Sequence, residues 1–155
     1  MKLSCDVIAA LKGRTLATAE SCTGGGIGAA LTSVPGSSAV YKGGIISYTN
    51  EIKSKFLNVD LQLLDKEGAV SAPVAEAMAT GARNSLSTDI AVSVTGLAGP
   101  SGDDFGNPVG TVFIGYSDRT HTISNHYIFS GDREQVRNQA ITAALKMIIN
   151  ELRRD

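Results

Sequence analysis

Three side chains that can react or donate hydrogen bonds, Ser21-Cys22-Thr23, stand directly before three consecutive glycines at 24–26. Glycines are costly at the start of a helix, about 1 kcal/mol each relative to alanine, so three of them indicate a close approach of the backbone to another group. A helix N-terminus presents unpaired N–H groups and a partial positive charge, which suit a phosphate, a carboxylate or a developing oxyanion. The turn is therefore a candidate site that includes the hydroxyls of Ser21 and Thr23; a simple helix N-cap is the alternative.

Other phosphate motifs do not match this turn. No Lys-Ser or Lys-Thr pair follows the glycines, as a Walker A loop requires, and the strict spacing of a dinucleotide-binding loop is missing. Cys22 is an alternative nucleophile, because a thiol at a helix N-terminus can have a lowered pKa. A small apolar residue buried in the core is the more ordinary interpretation of this cysteine.

A second group of reactive side chains lies between Tyr48 and Lys53, where a predicted strand gives way to a helix. Open α/β sheets place ligands at the ends of strands, so Tyr48 is expected near the site. Lys53 acts as a base only if its pKa falls. A drop from about 10.4 to about 7.5 costs about 4 kcal/mol, which burial beside apolar groups can supply. A solvated surface lysine, as expected for Lys55, is the alternative.

Two arginines four residues apart, Arg133 and Arg137, lie on one face of the predicted last helix and offer bidentate recognition of a phosphate. Asp132, directly before them, is interpreted as the N-cap of that helix. Surface ion pairs along the helix are the alternative for both arginines. Thr95-Gly96, at the end of a predicted buried strand, are a second candidate for holding the anion.

These side chains are positioned by helices and strands that alternate along the first part of the chain and end with two adjacent strands and a closing helix. That order predicts an α/β fold with a mixed, mostly parallel sheet of about five strands and helices on both faces. Helices are predicted at 3–11, 24–34, 50–56, 61–66, 73–86 and 133–152, and strands at 15–19, 39–48, 90–94, 110–116 and 121–129. A long Gly/Asp/Pro loop is predicted between the third and fourth strands.

Composition excludes several function classes. The 155 residues are 43% hydrophobic and 19% charged with a net charge of −1, so no overall field attracts nucleic acid or an anionic membrane. Two cysteines without a Cys/His cluster at zinc spacing predict a reduced, cytoplasmic protein without a metal site. No segment has the length of a transmembrane helix. His121 and His126 fall in a late strand at a spacing that places them on opposite faces, so surface positions are expected rather than a Ser-His-Asp triad.

Seven stretches in chain order together resemble the CinA C-terminal domain family, whose enzymatically active members are nicotinamide-nucleotide amidohydrolases. They are AESCTGG (19–25), PGSS (35–38), SYTNEIK (47–53), GAVS (68–71), TGLAGP (95–100), PVGTV (108–112) and GDR with VR (131–133 and 136–137). One such motif is weak, but seven in order cover almost the whole sequence. The resemblance implies a single three-layer α/β/α domain over residues 1–155.

The resemblance also implies an activity: hydrolysis of the carboxamide of nicotinamide mononucleotide to nicotinic acid mononucleotide and ammonia. It assigns Ser21 as the nucleophile and Tyr48 and Lys53 as its activating partners. The residues expected to contact the substrate are Thr23, Gly24, Gly25, Asn50, Thr95, Gly96, Arg133 and Arg137.

The expected chemistry is nucleophilic amide hydrolysis. Ser21 attacks the carboxamide carbon, and Lys53, neutral when desolvated, takes the proton directly or through Tyr48 and returns it to ammonia. Backbone N–H groups at 23–25 hold the oxyanion, each contributing about 3–4 kcal/mol. No metal or cofactor is required. The expected partner is a small mononucleotide, without direct nucleic-acid or membrane binding, and helix faces rich in Ala and Gly predict a homo-oligomer.

The loop at 101–108 departs from the family pattern. The family often has a further Gly-Gly and a basic residue just before Pro-Val-Gly, whereas this chain has Asp103, Asp104 and, in the usual lysine position, Asn107. Adjacent acids in a loop are more often solvated than a metal pair. The altered loop motivates a second hypothesis, a non-catalytic nucleotide-binding or regulatory domain. The family name suggests a third, an interaction module linked to DNA uptake or repair, although nothing in the charge pattern supports direct DNA binding.

Overall fold

The computed structural model describes residues 1–154, in which one five-stranded sheet lies between two layers of helices. The strands are β1 (Leu16–Glu20), β2 (Tyr41–Ile46), β3 (Ile90–Gly96), β4 (Thr111–Ser117) and β5 (Thr122–Ile128). The helices are α1 (Lys2–Leu11), α2 (Gly26–Thr32), α3 (Asn50–Leu57), α4 (Leu61–Glu67), α5 (Ala72–Ser85) and α6 (Arg133–Leu152), with a 3₁₀ turn at Ser37–Ala39. The predicted α/β class and the number of strands are confirmed.

The sheet has the strand order β2-β1-β3-β4-β5. β1 pairs in parallel with β2 and β3, whereas the β3–β4 and β4–β5 pairs are antiparallel. Four strands therefore point the same way, but only half of the neighbouring pairs are parallel. The chain turns back directly from β4 into β5, and such a short connection allows only antiparallel pairing. The mixed sheet expected from the sequence is thus confirmed, with its antiparallel part at one side.

Two apolar clusters fill the spaces above and below the sheet. One joins α1, α2 and α6 to alternate residues of the central strands, such as Leu16 and Val92. The other joins α3, α4 and α5 to the small side chains of the opposite face, Ala17, Ala19 and Ala91. Because that face is lined by small residues, α5 lies close to the sheet. The three-layer α/β/α arrangement follows.

The predicted boundaries fail where the backbone leaves regular geometry. α2 begins at Gly26 instead of residue 24, because Gly24 and Gly25 have φ values of 58° and 99°, in the left-handed region that only glycine adopts readily. β2 begins later than the predicted residue 39, since residues 37–39 form the 3₁₀ turn, and it ends at Ile46 instead of residue 48. The Asp132 cap of α6 is confirmed as a capping box with Gln135.

Parallel strands bring their carboxyl ends to one edge of the sheet, where the segments after β1, β2 and β3 meet. The start of α6 follows β5 at the same edge, because β5 points in the same direction as these three strands. Most residues singled out in the sequence lie in these segments. No helix within residues 1–154 is long and apolar enough to cross a membrane.

Candidate active site

The turn after β1 holds Ser21 in a buried position at the carboxyl edge of the sheet. Its backbone N–H continues the ladder to β3 by donating to the Val94 carbonyl at 3.0 Å. The N–H of Gly24 donates to the Ser21 carbonyl at 3.0 Å, which closes the turn. Ser21 is 7% exposed, and its side chain lines a cavity. The turn thus presents one hydroxyl from a rigid strand end.

Glu20 occupies the N-terminus of α2, where an anionic ligand or a hydroxyl cap was expected. Its carboxylate is 2% exposed and accepts hydrogen bonds from the N–H groups of Ile27 (2.8 Å) and Gly28 (3.0 Å) and from the Thr23 hydroxyl (2.7 Å). The N-cap residue is Gly25, without a side-chain cap. The hydroxyl cap is therefore wrong, since a carboxylate from the preceding strand does the capping. A charged residue at the end of a buried strand was the signal that could have indicated this.

Thr23, Gly24 and Gly25 lie outside the lining of the cavity that contains Ser21. Thr23 is fully buried, with its hydroxyl committed to Glu20. The N–H groups of Thr23 and Gly25 have no acceptor among residues 1–154. The expectation that these three residues touch the substrate stays a prediction for their backbone only.

Lys53 points from α3 into the protein and reaches Ser21. Thr49 begins this helix, its hydroxyl oxygen accepting from the N–H of Ile52 at 3.3 Å. The Lys53 side chain is 1% exposed, and its Nζ lies 3.1 Å from Ser21 Oγ and 2.7 Å from the Ser47 carbonyl oxygen. Burial lowers the pKa of Lys53 from 10.5 to about 8, against a smaller opposing effect of the Cys22 thiol. The solvated alternative is wrong for Lys53, although it holds for the exposed Lys55.

Cys22 is a buried apolar residue in this structure and not a thiolate. It is 6% exposed, and burial raises the pKa of its thiol to about 11, although Arg137 and Lys53 act in the opposite direction. Its Sγ packs against Gly96. Because the thiol stays protonated at neutral pH, Ser21 is the better nucleophile of the two.

A cavity of about 420 Å³ opens beside Ser21 and Lys53. Its apolar wall comes from the segment after β3 and from the residues just before α5. The lining residues of this wall are Ala69, Val70, Leu97, Ala98, Gly99 and Pro100. The buried Ser21 and Lys53 lie at its inner end, whereas Tyr48, Asn50 and Arg133 are exposed and lie at its mouth. The structure thus brings together one hydroxyl, one amine, an apolar wall and a cation at the entrance.

Tyr48 lies at the mouth of this cavity. Its side chain is 61% exposed, and its hydroxyl accepts a hydrogen bond from Arg133 Nη2 at 3.0 Å. Arg133 also donates to the Gly99 carbonyl at 2.6 Å. Within residues 1–154 no hydrogen bond joins the Tyr48 hydroxyl to Ser21 or Lys53. The route of a proton through Tyr48 stays a prediction that this arrangement does not support.

The two arginines of α6 have different environments despite sharing a helix face. Arg137 is tied to the Ser21 turn, with Nε 2.9 Å from the Cys22 carbonyl oxygen and Nη2 3.2 Å from that of Thr23. Arg133 contacts only neutral oxygens at the cavity mouth, and neither arginine pairs with a carboxylate among the described residues. Arg133 is thus available to an anion, whereas Arg137 is already used to hold the turn.

Thr95 and Gly96 both line the cavity, as expected for the end of β3. The Thr95 hydroxyl donates to the Ala69 carbonyl at 2.7 Å, so it fixes the wall and is not directed at a ligand. A Cβ at Gly96 would lie 2.7 Å from Val112 Cγ2 and 3.2 Å from Cys22 Sγ. Tight packing between β3, β4 and the Ser21 turn therefore requires glycine there.

The loop with the unusual acids is held by its own hydrogen bonds. Asp103 accepts from the N–H groups of Phe105 and Asn107 and from the Asn107 amide at 2.8 Å, and Asn107 also donates to the Val70 carbonyl at 3.2 Å. Asp103 is partly desolvated, but these bonds keep its pKa below its usual value. Within residues 1–154 no group of three or more His, Cys, Asp or Glu is placed to hold a metal ion.

Both histidines lie away from the cavity. The ring of His121 lies between Asp118 (3.3 Å) and Glu151 (3.0 Å), and the exposed His126 stacks on Phe113 with ring centroids 4.4 Å apart. Neither is among the residues that line the Ser21 cavity.

Comparison with known proteins agrees with this architecture. The model of the CinA C-terminal domain matches residues 2–152. The chain is 46% identical over 144 residues to a CinA-like protein of Desulfotalea psychrophila, covering 93% of this chain and 35% of that protein. It is 43% identical over 146 residues to a putative competence-damage inducible protein of Moorella thermoacetica, covering 94% and 35%. The chain thus spans about a third of the length of these relatives.

Solved structures match over nearly the full domain. The competence damage-inducible protein A of Klebsiella pneumoniae superposes with a TM-score of 0.95 at 36% identity, covering 98% of this chain and 96% of that one. The competence/damage inducible protein CihA of Agrobacterium tumefaciens gives 0.93 at 37% identity, covering 98% and 94%. With the family model matched from residue 2 to residue 152, the chain belongs to the CinA C-terminal domain family.

Proposed function

We propose that this protein hydrolyses a primary carboxamide, that of nicotinamide mononucleotide, through Ser21 activated directly by Lys53. The observation that carries the proposal is the 3.1 Å contact between Lys53 Nζ and Ser21 Oγ at the inner end of a cavity. A nucleophile and a base within hydrogen-bond distance, the base held by a further group, form the arrangement that covalent catalysis requires. Here the Ser47 carbonyl, 2.7 Å from Nζ, is that further group.

The lowered pKa of Lys53 makes the amine available as a base. With a pKa of about 8, a substantial fraction of the lysine is neutral near pH 8. The neutral amine donates to the Ser47 carbonyl, and its lone pair accepts the proton of Ser21 as Oγ attacks the carboxamide carbon. The tetrahedral intermediate then expels ammonia, whose nitrogen takes that proton from Lys53. An acyl ester on Ser21 is left behind.

Water completes the reaction in a second step. Lys53 takes a proton from the water as its oxygen attacks the acyl carbon, and then returns a proton to Ser21 Oγ as the ester bond breaks. The net change is carboxamide and water to carboxylic acid and ammonia. The N–H groups of Gly24 and Gly26 already bind the Ser21 and Thr23 carbonyls, so those of Cys22, Thr23 and Gly25 are the donors left in the turn for the oxyanion. Of these three residues, Cys22 lines the cavity beside Ser21.

The mouth of the cavity supports an anionic substrate. Arg133 contacts the neutral oxygens of Gly99 and Tyr48, which a phosphate would replace with a charge-assisted pair. The apolar wall formed by Leu97, Ala98 and Val70 suits a planar pyridine ring between the phosphate and the carboxamide. The substrate is thus one with its amide and its anion at opposite ends.

The decisive experiment measures ammonia and nicotinic acid mononucleotide released from nicotinamide mononucleotide by the purified protein. We expect turnover by the parent, a loss of at least about 10³-fold in Ser21→Ala, and no change in Ser4→Ala, which alters another buried serine away from the cavity. Unchanged turnover in Ser21→Ala would contradict the assigned nucleophile.

A non-catalytic nucleotide-binding domain is the second candidate, and the loop at 101–108 favours it. Asn107 stands where a basic residue is usual in the family, and its amide is used to hold Val70 and Asp103. Mononucleotide binding by calorimetry, without product from the parent, would support this candidate over the hydrolase.

A further inference from the structure

The two edges of the sheet differ in how they are protected against pairing with another strand. β2, at one edge, contains Lys42 and two glycines and has a register irregularity opposite Leu16 and Ala17. β5, at the other edge, runs for seven residues without a charged residue, proline or glycine, in regular register with β4. Monomeric proteins usually interrupt a long edge strand with charges, prolines or bulges. β5 has none of these devices.

The hydrogen-bonding positions of β5 can be read from its two ends. Phe129 N–H donates to the Gly110 carbonyl at 2.8 Å, and the His121 carbonyl accepts from Asp118 N–H at 3.0 Å. Odd-numbered residues of β5 therefore face β4 with their polar backbone groups. The N–H and C=O groups of the even-numbered residues, from Thr122 to Ile128, point away from the sheet. They form an open ladder along the edge.

We propose that β5 pairs antiparallel with β5 of a second copy of this chain, extending the sheet across a twofold axis at Asn125. In this register Thr122 of one copy lies opposite position 128 of the other, and paired residue numbers sum to 250. It is the register in which all seven residues of the strand have a partner. It places even-numbered residues opposite even-numbered ones, as the open ladder requires. Asn125 then faces its own symmetry mate in a non-hydrogen-bonded pair.

The side chains on both faces complement each other in this register. On the α5 face, Ser124 lies opposite the second copy's position 126, and Ser124 Oγ is bound to the Glu76 carboxylate at 2.7 Å. The partner's exposed imidazole thus comes beside a carboxylate, twice per dimer. On the α6 face, Ile123 lies opposite position 127, giving two aromatic–β-branched pairs of the kind that stabilise sheets.

The surface beside this edge also suits burial. A cavity of about 480 Å³ lies along β5 on its α6 side, lined by Tyr127, Phe129, Ala143, Lys146 and Met147 among others. The Tyr127 and Phe129 rings stack with centroids 5.1 Å apart. Extending the sheet covers this apolar surface as well as the open backbone groups. A charge-free strand brings no like charges together across the twofold axis.

Light scattering coupled to size exclusion measures the mass directly. We expect twice the chain mass of 16.1 kDa for the parent. Ser124→Pro removes an outward N–H without affecting the ladder to β4 and should give the single-chain mass, whereas Ser124→Ala, which keeps that N–H, should stay dimeric. Asn125→Lys, on an exposed position that leaves folding intact, should also give the single-chain mass at low salt, because two lysines then face each other.

Cross-linking tests the register. In a Cys5→Ala background, which removes the exposed native thiol, Asn125→Cys should form an intermolecular disulfide on mild oxidation, because its Cα atoms lie about 4.5 Å apart across the axis. His126→Cys, facing Ser124 of the second copy, should not. Three results would overturn the proposal. The parent could show the single-chain mass at every concentration, the dimer could be unaffected by Ser124→Pro and Asn125→Lys, or both cysteine variants could cross-link equally. A protein chain other than this one at β5 would leave the parent at 16.1 kDa in isolation.

Discussion

Two ionisable side chains flank the Ser21 turn, and both are almost completely buried, Glu20 at 2% and Lys53 at 1% exposure. The Glu20 carboxylate receives three hydrogen bonds, two of them from the positive end of α2. Lys53 has one neutral carbonyl and the Ser21 hydroxyl, and no carboxylate within reach among the described residues. The carboxylate is therefore fully hydrogen-bonded in its buried position, whereas burial drives the amine toward its neutral form. The first holds structure, and the second is ready to accept a proton.

Replacing the amine should have the largest effect on activity and little on folding. Lys53→Met keeps the volume of the side chain and removes a poorly solvated amine, so we expect kcat/KM to fall by at least about 10³-fold while the free energy of unfolding is unchanged or increased. Lys55→Met, two residues away on the exposed side of α3, is the matched control and should change neither. Activity in Lys53→Met within tenfold of the parent would contradict the role of Lys53 as the base.

Replacing the carboxylate should have the opposite pattern. In Glu20→Gln the amide oxygen can still accept from Thr23 and Ile27. Its NH₂ group, however, faces the Gly28 N–H, so two donors oppose each other and the hydrogen bond from Gly28 is lost. We expect a loss of about 2 kcal/mol in the free energy of unfolding, measured by urea denaturation. The folded fraction should keep more than a tenth of the parent's kcat. A variant as stable as the parent, with its activity abolished, would show that Glu20 takes part in the chemistry.

The two arginines of α6 should differ in the same way, with smaller effects. Arg133→Gln should raise KM for the mononucleotide by about tenfold with little change in kcat, because it removes a cation at the mouth that has no carboxylate partner among residues 1–154. Arg137→Gln should lower kcat instead, since Arg137 holds the Cys22 and Thr23 carbonyls. With nicotinamide riboside, which has no phosphate, the KM effect of Arg133→Gln should disappear. An equal effect on both substrates would argue against a phosphate at Arg133.

The dependence of stability on pH should give the smallest effect. The folded-state pKa of Lys53, about 8, lies below its ordinary 10.5. Below pH 8 both states bind the proton, and the folded protein carries the full cost of a buried cation. Between about 8 and 10.5 only the unfolded state binds it, so this group makes stability rise with pH. Cys22, with its pKa raised from 9.0 to about 11, acts in the opposite direction over that range.

The contribution of Lys53 is therefore measured as a difference between the parent and Lys53→Met. From pH 8 to pH 9.5 the parent should gain about 1–2 kcal/mol relative to the variant, by urea denaturation at each pH. Over the same range, kcat of the parent should rise through a pKa of about 8. Parallel stability curves for the two proteins would mean that Lys53 is not desolvated in solution.

Local periodicity predicted every helix and strand of the fold, because the apolar spacing of α5, α6 and the strands is set by which residues reach the core. The first and last residues of the helices and strands were less predictable. The left-handed glycines at 24 and 25 delay the start of α2, and the 3₁₀ turn at residues 37–39 shortens β2. Both depend on backbone angles that residue type permits but does not require. The equal number of parallel and antiparallel pairs likewise came from connections and not from the strands themselves.

In the candidate site, the amino-acid sequence was enough to predict which groups are present and at which edge of the sheet they meet. The strands that precede Ser21 and Tyr48 and the strand that ends in Thr95-Gly96 are parallel, so their carboxyl ends converge. Which of these groups touch depends on the packing of the helices against the sheet. Spacing along the chain cannot say that α3 turns Lys53 inward while Tyr48 stays exposed, or that Glu20 and not a ligand neutralises the start of α2. Burial and hydrogen-bond partners are set by segments far apart in sequence, and they decide whether a charged group stabilises the fold or is left free to react.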